Sequence, residues 1–389
     1  MKPDHHAKMA AQMKERLKVE ELAENIDELE DVVENAFPVL LVTVLVSIFL
    51  LAIFLVRMYI RYTVENPSKN RMDGKTVLIT GATSGLGKAT AIELARKNAR
   101  VLITGRDKIK VEAVARNIRK KTGNQHVNAL VLDLANLRGI REFCEGFCKD
   151  EKYLHVLINN AAYMGPKAAT DDNLERCFGV NYLGHFYLTY LLSDKLKKNA
   201  PSRVINVVSD SYAIGQLDFD DIALNKGYDV FKAYARSKYA MMLWNLEHHR
   251  RTYSSCIWTF AVHPGACATE LLRNYPGLTG NLLRIVSRIM FKAPEDGCQT
   301  IVYLAVADGL REFSGKTFAN CKVIKTQDRI KDKEVAKELW NISAHLCGFE
   351  PDTPYEEQES TEAKETTTPD SPTADIAAAA AVSEQKKDK

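Results

Sequence analysis

The run Thr76-Val77-Leu78-Ile79-Thr80 passes directly into Gly81-Ala82-Thr83-Ser84-Gly85-Leu86-Gly87, and then into Lys88-Ala89-Thr90-Ala91-Ile92-Glu93-Leu94-Ala95. Nothing else in the chain restricts its fold as much. The first segment is short, apolar and β-branched, the pattern of a strand buried on both faces of a parallel sheet. The last has helical spacing. Strand, glycine turn and helix start together form the context that a phosphate-binding loop requires. Gly81 permits the tight turn, while Gly85 and Gly87 let backbone amides approach an anion at the helix N-terminus, where the dipole favours negative charge. Thr83, Ser84 and Leu86 belong to the same loop.

Strand and helix signals keep alternating downstream. Residues 100–104 lead to Gly105-Arg106-Asp107, and 129–132 to Asp133-Leu134. Residues 156–158 lead to Asn159-Asn160-Ala161-Ala162, 204–208 to Ser209, and 257–262 to His263-Pro264-Gly265. This alternation predicts an α/β fold, a doubly wound, Rossmann-like parallel sheet with helices on both faces. Glycines and polar residues collect at the C-terminal strand ends, where such sheets bind ligands. At the end of the second strand an NAD site places an acid for the ribose hydroxyls. Here Arg106 comes first, suited to a 2′-phosphate, so the expected cofactor is NADP(H). The plainer alternative is a surface arginine paired with Asp107.

Residues 36–56 carry no charge and are dense in Leu, Val, Ile and Phe. Their length corresponds to roughly 31 Å of helix, which matches a bilayer core. Acidic residues Glu28, Glu30, Asp31 and Glu34 precede the segment where a cleaved signal peptide would carry a basic region. Arg57, Arg61, Lys69, Arg71 and Lys75 follow it. The positive-inside rule therefore puts the C-terminal body in the cytosol, with the lipid bilayer as a partner. The endoplasmic reticulum is the default membrane and the mitochondrion the alternative. The sequon Asn341-Ile342-Ser343 would then stay unmodified, which makes it a topology probe. Residues 1–35 read as an amphipathic helix, with Leu22, Ile26, Leu29 and Val33 in 4-3-4 spacing. Residues 351–389 are rich in Glu, Thr, Pro, Ser and Ala and read as a disordered low-complexity tail. The catalytic domain is expected over 70–350.

With a formal net charge of only +3 nothing points to a nucleic-acid binder, and the cluster Arg116, Arg119, Lys120 and Lys121 reads as a solvated helix end. The eight cysteines form no CxxC pair, and no set of three or four convergent ligands is visible, so no metal site is expected.

Tyr234-Ala235-Arg236-Ser237-Lys238 places Tyr and Lys four apart, on one helix face. An unperturbed tyrosine titrates near ~10 and is a poor acid/base at neutral pH. A nearby ammonium favours the phenolate and brings it toward the working range. Ser209, at a strand end, is placed to hydrogen-bond a substrate oxygen, and Asn181 is a candidate for holding a water in a proton relay. His185 reads as a structural side chain, and His248 and His249 as an exposed helix surface. No Gly-x-Ser-x-Gly elbow occurs, against an α/β-hydrolase.

In order, TGATSGLG (Thr80 to Gly87), Asp133-Leu134, NNAA (Asn159 to Ala162), VNYLGHF (Val180 to Phe186), Ser209, YARSK (Tyr234 to Lys238) and HPG (His263 to Gly265) resemble the short-chain dehydrogenase/reductase superfamily. Asn181 to Phe186, His263 to Leu271, Ala307 to Lys316 and Glu338 to Asn341 are similar to the membrane-anchored retinol dehydrogenases. The resemblance covers roughly residues 70 to 350. It implies that Gly81, Thr83, Ser84, Gly85, Leu86 and Gly87 meet the pyrophosphate, Arg106 the 2′-phosphate, and Asp133 and Leu134 the adenine. Asn159 and Ala161 would line the cofactor, and Pro264, Gly265 and Thr269 would border the nicotinamide. Asn181, Ser209, Tyr234 and Lys238 match the catalytic tetrad. The family's NNAG ends here in Ala162, and its Ser-Ser pair reads Val208-Ser209, followed by Asp210.

The implied reaction is hydride transfer between NADP(H) and a hydrophobic carbonyl or alcohol, retinal/retinol first, another lipid carbonyl such as a sterol or lipid aldehyde second. Whether the chain forms the homodimer common in the superfamily stays open. A catalytically silent membrane scaffold with the same fold is the alternative of another class.

Overall fold

The computed structural model describes residues 4–275 and 277–349; the expected disordered tail lies outside them. The chain forms two units, divided after Ile60.

The first unit is one helix, α1 (Asp4–Arg61). The expected amphipathic segment and the expected span are therefore a single continuous element. Its apolar part, Val32–Arg61, is long and apolar enough to cross a membrane, and its large apolar side chains from Phe37 to Tyr59 are exposed to their surroundings. Two hydroxyls in this part are satisfied inside the helix: Thr43 donates to the Val39 carbonyl at 2.8 Å and Ser47 to that of Thr43 at 2.7 Å. A helix in lipid has no water to satisfy such groups. Leu22, Ile26 and Val33 on the N-terminal half are exposed as well.

In the second unit β1 (Thr76–Ile79), α2 (Gly85–Arg96), β2 (Arg100–Gly105), α3 (Lys108–Thr122), β3 (Val127–Val131), α4 (Leu137–Asp150) and β4 (Val156–Asn159) alternate. A short α5 (Arg176–Phe178), a π turn (Gly179–Leu183), α6 (Gly184–Leu191) and α7 (Ser193–Lys198) precede β5 (Ser202–Val207). Then come α8 (Val230–Thr252), β6 (Ile257–Val262), α9 (Gly277–Met290), α10 (Pro294–Gly297), α11 (Gln299–Val306), β7 (Thr317–Ala319), β8 (Lys322–Ile324) and α12 (Lys333–Leu346).

The strands form one sheet in the order β3-β2-β1-β4-β5-β6-β7-β8, parallel except for the antiparallel edge pair β7–β8. Side chains alternate across the pleat, so one register builds two cores. Leu78, Leu102 and Leu157 face α4, α6, α8 and α12, where Phe186, Trp244 and Trp340 pack. Val77, Ile79, Val101, Ile103, Val156 and Ile158 face α2, α3 and α11, around Leu94, Ile118 and Ile301. This is the expected doubly wound sheet. The crossover from β3 back past β1 to β4 separates two neighbouring loops, and the glycine turn after β1 opens beside that switch point.

Candidate active site

The glycine turn takes its shape from the loop that follows β4. Gly81 has φ +63°, and a Cβ there would stand 2.7 Å from the Ala161 Cα, so only glycine fits. Thr80 ties the same two loops together: its Oγ1 accepts from the backbone amides of Asn160 (2.8 Å) and Ala161 (3.0 Å). Ser84 stands at the N-cap of α2, but its side chain does not cap the helix. The first-turn amides of α2 are thus left for another acceptor, the arrangement that receives a pyrophosphate. Gly87 lines the cleft with the rest of the loop and has a packing role as well. A Cβ there would fall 2.5 Å from the Asn160 amide nitrogen and 2.7 Å from the Gly81 carbonyl, so this glycine lets α2 pack on its own loop.

At the end of β2, Asp107 does not pair with Arg106. It caps α3 by accepting from the Lys110 amide at 3.0 Å. Arg106 is exposed, has no ion-pair partner among the described residues, and lines the same cleft as the glycine turn. An uncapped helix N-terminus and an unpaired arginine one strand away fit a phosphorylated dinucleotide. The cleft has a volume of about 370 Å³.

Tyr234 and Lys238 lie one turn apart on α8, both on the cleft wall. The Lys238 side chain is 2% exposed, and its Nζ donates to the Val207 carbonyl at 2.7 Å. That carbonyl belongs to the last residue of β5, so the sheet itself fixes the ammonium, 5.6 Å from the centre of the Tyr234 ring. Burial lowers Lys238 to about 8. Tyr234 departs from expectation: burial raises its phenol above the ordinary value, and a hydrogen bond with Ser209 only partly offsets this. Ser209 follows β5 and accepts from the Ser211 amide at 3.3 Å.

Asn181 sits in the π turn and is fully buried. Its Oδ1 accepts from the Tyr163 amide (2.6 Å), and its Nδ2 donates to the Tyr163 carbonyl (2.9 Å) and to Ser237 Oγ (2.9 Å). The side chain therefore clamps the segment after β4 to α8 between Tyr234 and Lys238, and it does not line the cleft. Both amide protons are used, so a relay water at this residue has acceptor atoms alone to bind. His185 is structural, as expected: Nδ1 lies 2.9 Å from the Asn181 carbonyl, and Nε2 lies 2.8 Å from Thr80 Oγ1. A carbonyl can only accept, which assigns the proton to Nδ1. Burial depresses His185 to about 3, so it stays neutral.

Asp133, Leu134, Ala161, Pro264, Gly265 and Thr269 all reach the cleft with the glycine turn. Asn159 does not. It ends β4 pointing into the core, donating to Thr189 Oγ1 (3.1 Å) and Asn206 Oδ1 (2.9 Å). The next residue, Asn160, lines the cleft instead, because successive side chains alternate across a strand. His248 is not on a surface: it is 3% exposed and bonded to Thr259 Oγ1 at 2.7 Å, and His249 bonds Ser314 Oγ at 2.8 Å. Arg119 likewise leaves its cluster to donate to the Val127 carbonyl. Sequence patterning missed one pair at the cleft altogether. His263 Nε2 meets Asp210 Oδ2 at 2.8 Å, which holds the Asp210 carboxyl below its usual range. No group of three or more potential metal-binding side chains occurs among the described residues.

Similarity to known proteins agrees with this geometry. The chain is 44% identical over 291 residues to human "Retinol dehydrogenase 13", covering 73% of this chain and 88% of that one. It is 44% identical to human "Retinol dehydrogenase 12" over 280 residues, 72% of this chain and 88% of the relative. Among solved structures, an uncharacterised Mycobacterium paratuberculosis protein aligns at 30% identity and TM-score 0.59, covering 76% of this chain and all of that one. A Beutenbergia cavernae protein solved with bound NADP at low occupancy aligns at 26% identity and TM-score 0.51, covering 64% and 96%. Residues 75–276 match the short chain dehydrogenase profile, a stretch that runs from β1 through the glycine turn, Ser209, Tyr234 and Lys238 to Thr269. With relatives this similar over most of their length, the chain belongs to the short-chain dehydrogenase family.

Proposed function

We propose that the chain is a membrane-anchored oxidoreductase that transfers a hydride between NADP(H) and a hydrophobic carbonyl or alcohol, with retinal and retinol as the first pair to test. The carrying observation is that Ser209, Tyr234 and Lys238 line one cleft together with the glycine turn and Arg106.

A bound nicotinamide dinucleotide supplies the hydride. The chain's own residues do the rest. Ser209 and Tyr234 hold the carbonyl oxygen, and Tyr234 gives it a proton in reduction or takes one in oxidation. Because burial holds the Tyr234 phenol protonated, it enters reduction as the acid. Lys238, anchored on Val207, favours the phenolate once the proton has left. Asn181 acts as a positioning residue through Tyr163 and Ser237. Arg106 meets the 2′-phosphate, and the uncapped amides of α2 meet the pyrophosphate. In this reading α1 anchors the protein, and the basic residues that follow its apolar part favour a cytosolic catalytic unit by the positive-inside rule. An anchored enzyme meets a substrate dissolved in the bilayer at high local concentration, and the curated relatives are named for retinol.

The test is turnover by the full chain in membranes, with NADPH or NADH, all-trans-retinal and a panel of sterol and aldehyde carbonyls. Tyr234→Phe should lower turnover by roughly 10²–10⁴-fold, the range of positioned proton transfer. Absence of both turnover and NADPH binding would leave the silent scaffold as the better account.

A further inference from the structure

We propose that α9 is an interfacial membrane helix: its apolar stripe lies on the phospholipid bilayer, and its opposite side forms part of the cleft wall. The inference rests on the membrane-anchored function proposed above.

α9 carries Leu278, Leu282, Ile285 and Ile289 in 4-3-4 spacing, one face of a helix. They are exposed by 86%, 61%, 55% and 54%. In a soluble surface helix such a stripe faces the core. Here the only fully buried residues of the helix are Gly280 and Ser287, with Leu283, Arg284 and Met290 half-buried beside them. Most of the helix's large apolar surface thus points outward, while its two fully buried positions are a glycine and a serine. The helix contains no acidic residue and two arginines; Arg284 is turned back onto the Leu272 and Arg273 carbonyls, while exposed Arg288 suits a surface of phosphate headgroups.

Where the chain leaves α1 selects lipid as the occupant. Just beyond the apolar helix, Thr63 donates to the Asp296 carbonyl at 3.4 Å and the Asn66 amide donates to Gln299 Oε1 at 3.1 Å. Both partners lie in or beside α10, only a few residues after the end of α9 at Met290. If α1 spans the bilayer, the covalent chain keeps residue 63 close to its surface, and the two hydrogen bonds hold that segment to the elements that directly follow α9 in sequence. α9 also reaches the cleft through Ser287, and Phe291 follows it there. A bilayer-dissolved carbonyl would then meet the cleft wall without crossing water.

Full-length Ile285→Trp, at an exposed position, is reconstituted into phosphatidylcholine vesicles containing a minor share of phosphatidylserine and lipids brominated near the top of the acyl chain. An interfacial helix buries its apolar face ~5–10 Å into the headgroup boundary, so about half of the added emission should be quenched relative to wild type. Arg116→Trp, on the exposed side of α3, should show no such loss. An unquenched Ile285→Trp overturns the proposal. Alkaline carbonate extraction of the wild-type chain reads the anchor separately. Release of the protein would sink the anchor, while the quenching result still decides α9. As a functional check, combined Leu282→Asp, Ile285→Asp and Ile289→Asp should cut turnover of a vesicle-dissolved carbonyl about tenfold, leaving a water-soluble carbonyl unaffected. Equal loss on both substrates would mean a folding defect and count against the proposal.

Discussion

Arg236 lies between Tyr234 and Lys238 on α8, yet its guanidinium points away from the cleft, into a buried ion pair with Glu175 at 3.0 Å. Their side chains are 4% and 0% exposed. Glu175 also accepts from the amides of Cys177 (2.7 Å) and Phe178 (3.0 Å), capping the turn that leads to Asn181. Arg236→Met would strand the carboxylate with two of its three partners. Breaking a buried pair on one side costs ~3–5 kcal/mol, and the two surviving amide bonds place this case toward the lower end. Losing the Asp221 carbonyl contact at 3.3 Å and the guanidinium over Phe178 adds about 1 kcal/mol. The sum is ~4 kcal/mol, or roughly 10 °C in melting temperature for a domain of this size. Burial lowers the Arg236 pKa more than Glu175 raises it, so desolvation outweighs attraction. The pair is then expensive to break but adds little net stability. Glu175→Gln combined with Arg236→Met should therefore recover at least half of the loss. Thermal melts of the detergent-solubilised full chain, followed by circular dichroism, measure both variants. A loss under about 1 kcal/mol for Arg236→Met, or a double variant worse than the single one, would refute this reasoning.

Two further outcomes follow from the cleft. Arg106→Asp should raise the KM for NADPH by roughly 10–100-fold, the worth of one charge-assisted contact, while sparing or improving NADH; equal effects on both cofactors would remove Arg106 from 2′-phosphate recognition. Lys238 has a folded pKa of about 8 against an ordinary 10.5, so between these values the unfolded chain binds a proton that the folded chain does not. Stability should rise with pH across that window, the burial cost of the ammonium being fully present below about 8. In denaturant titrations without cofactor, wild type minus Lys238→Met should climb by up to about 1.4 kcal/mol per pH unit there, and a flat difference would contradict the buried ammonium.

Local chemistry made much of the site legible in advance. The glycine turn declares itself because a strand, a φ-positive position and a helix start must be contiguous in sequence, and Tyr234 and Lys238 share a face because a helix repeats every 3.6 residues. The apolar stretch around residues 36–56 is equally local, since a bilayer's thickness is a length of chain. Other features depend on what meets what across the fold. Asn159 and Asn160 are indistinguishable in sequence, and only the pleat of β4 decides which one reaches the cleft. His248 reads as surface until Thr259 on β6 covers it. The Asp210–His263 and Glu175–Arg236 pairs join residues dozens of positions apart, and the burial of the second depends on packing that no periodicity encodes. β7 and β8 are too short to signal themselves, and only pairing of β7 with β6, and of β8 with β7, makes them strands. Periodic and contiguous features were readable along the chain: the sheet class, the phosphate turn, the apolar helix and the Tyr–Lys spacing. Tertiary structure alone decided which polar groups are buried, which asparagine faces the cleft, and that the apolar stripe of α9 faces outward, because burial is a property of pairs of segments, not of one.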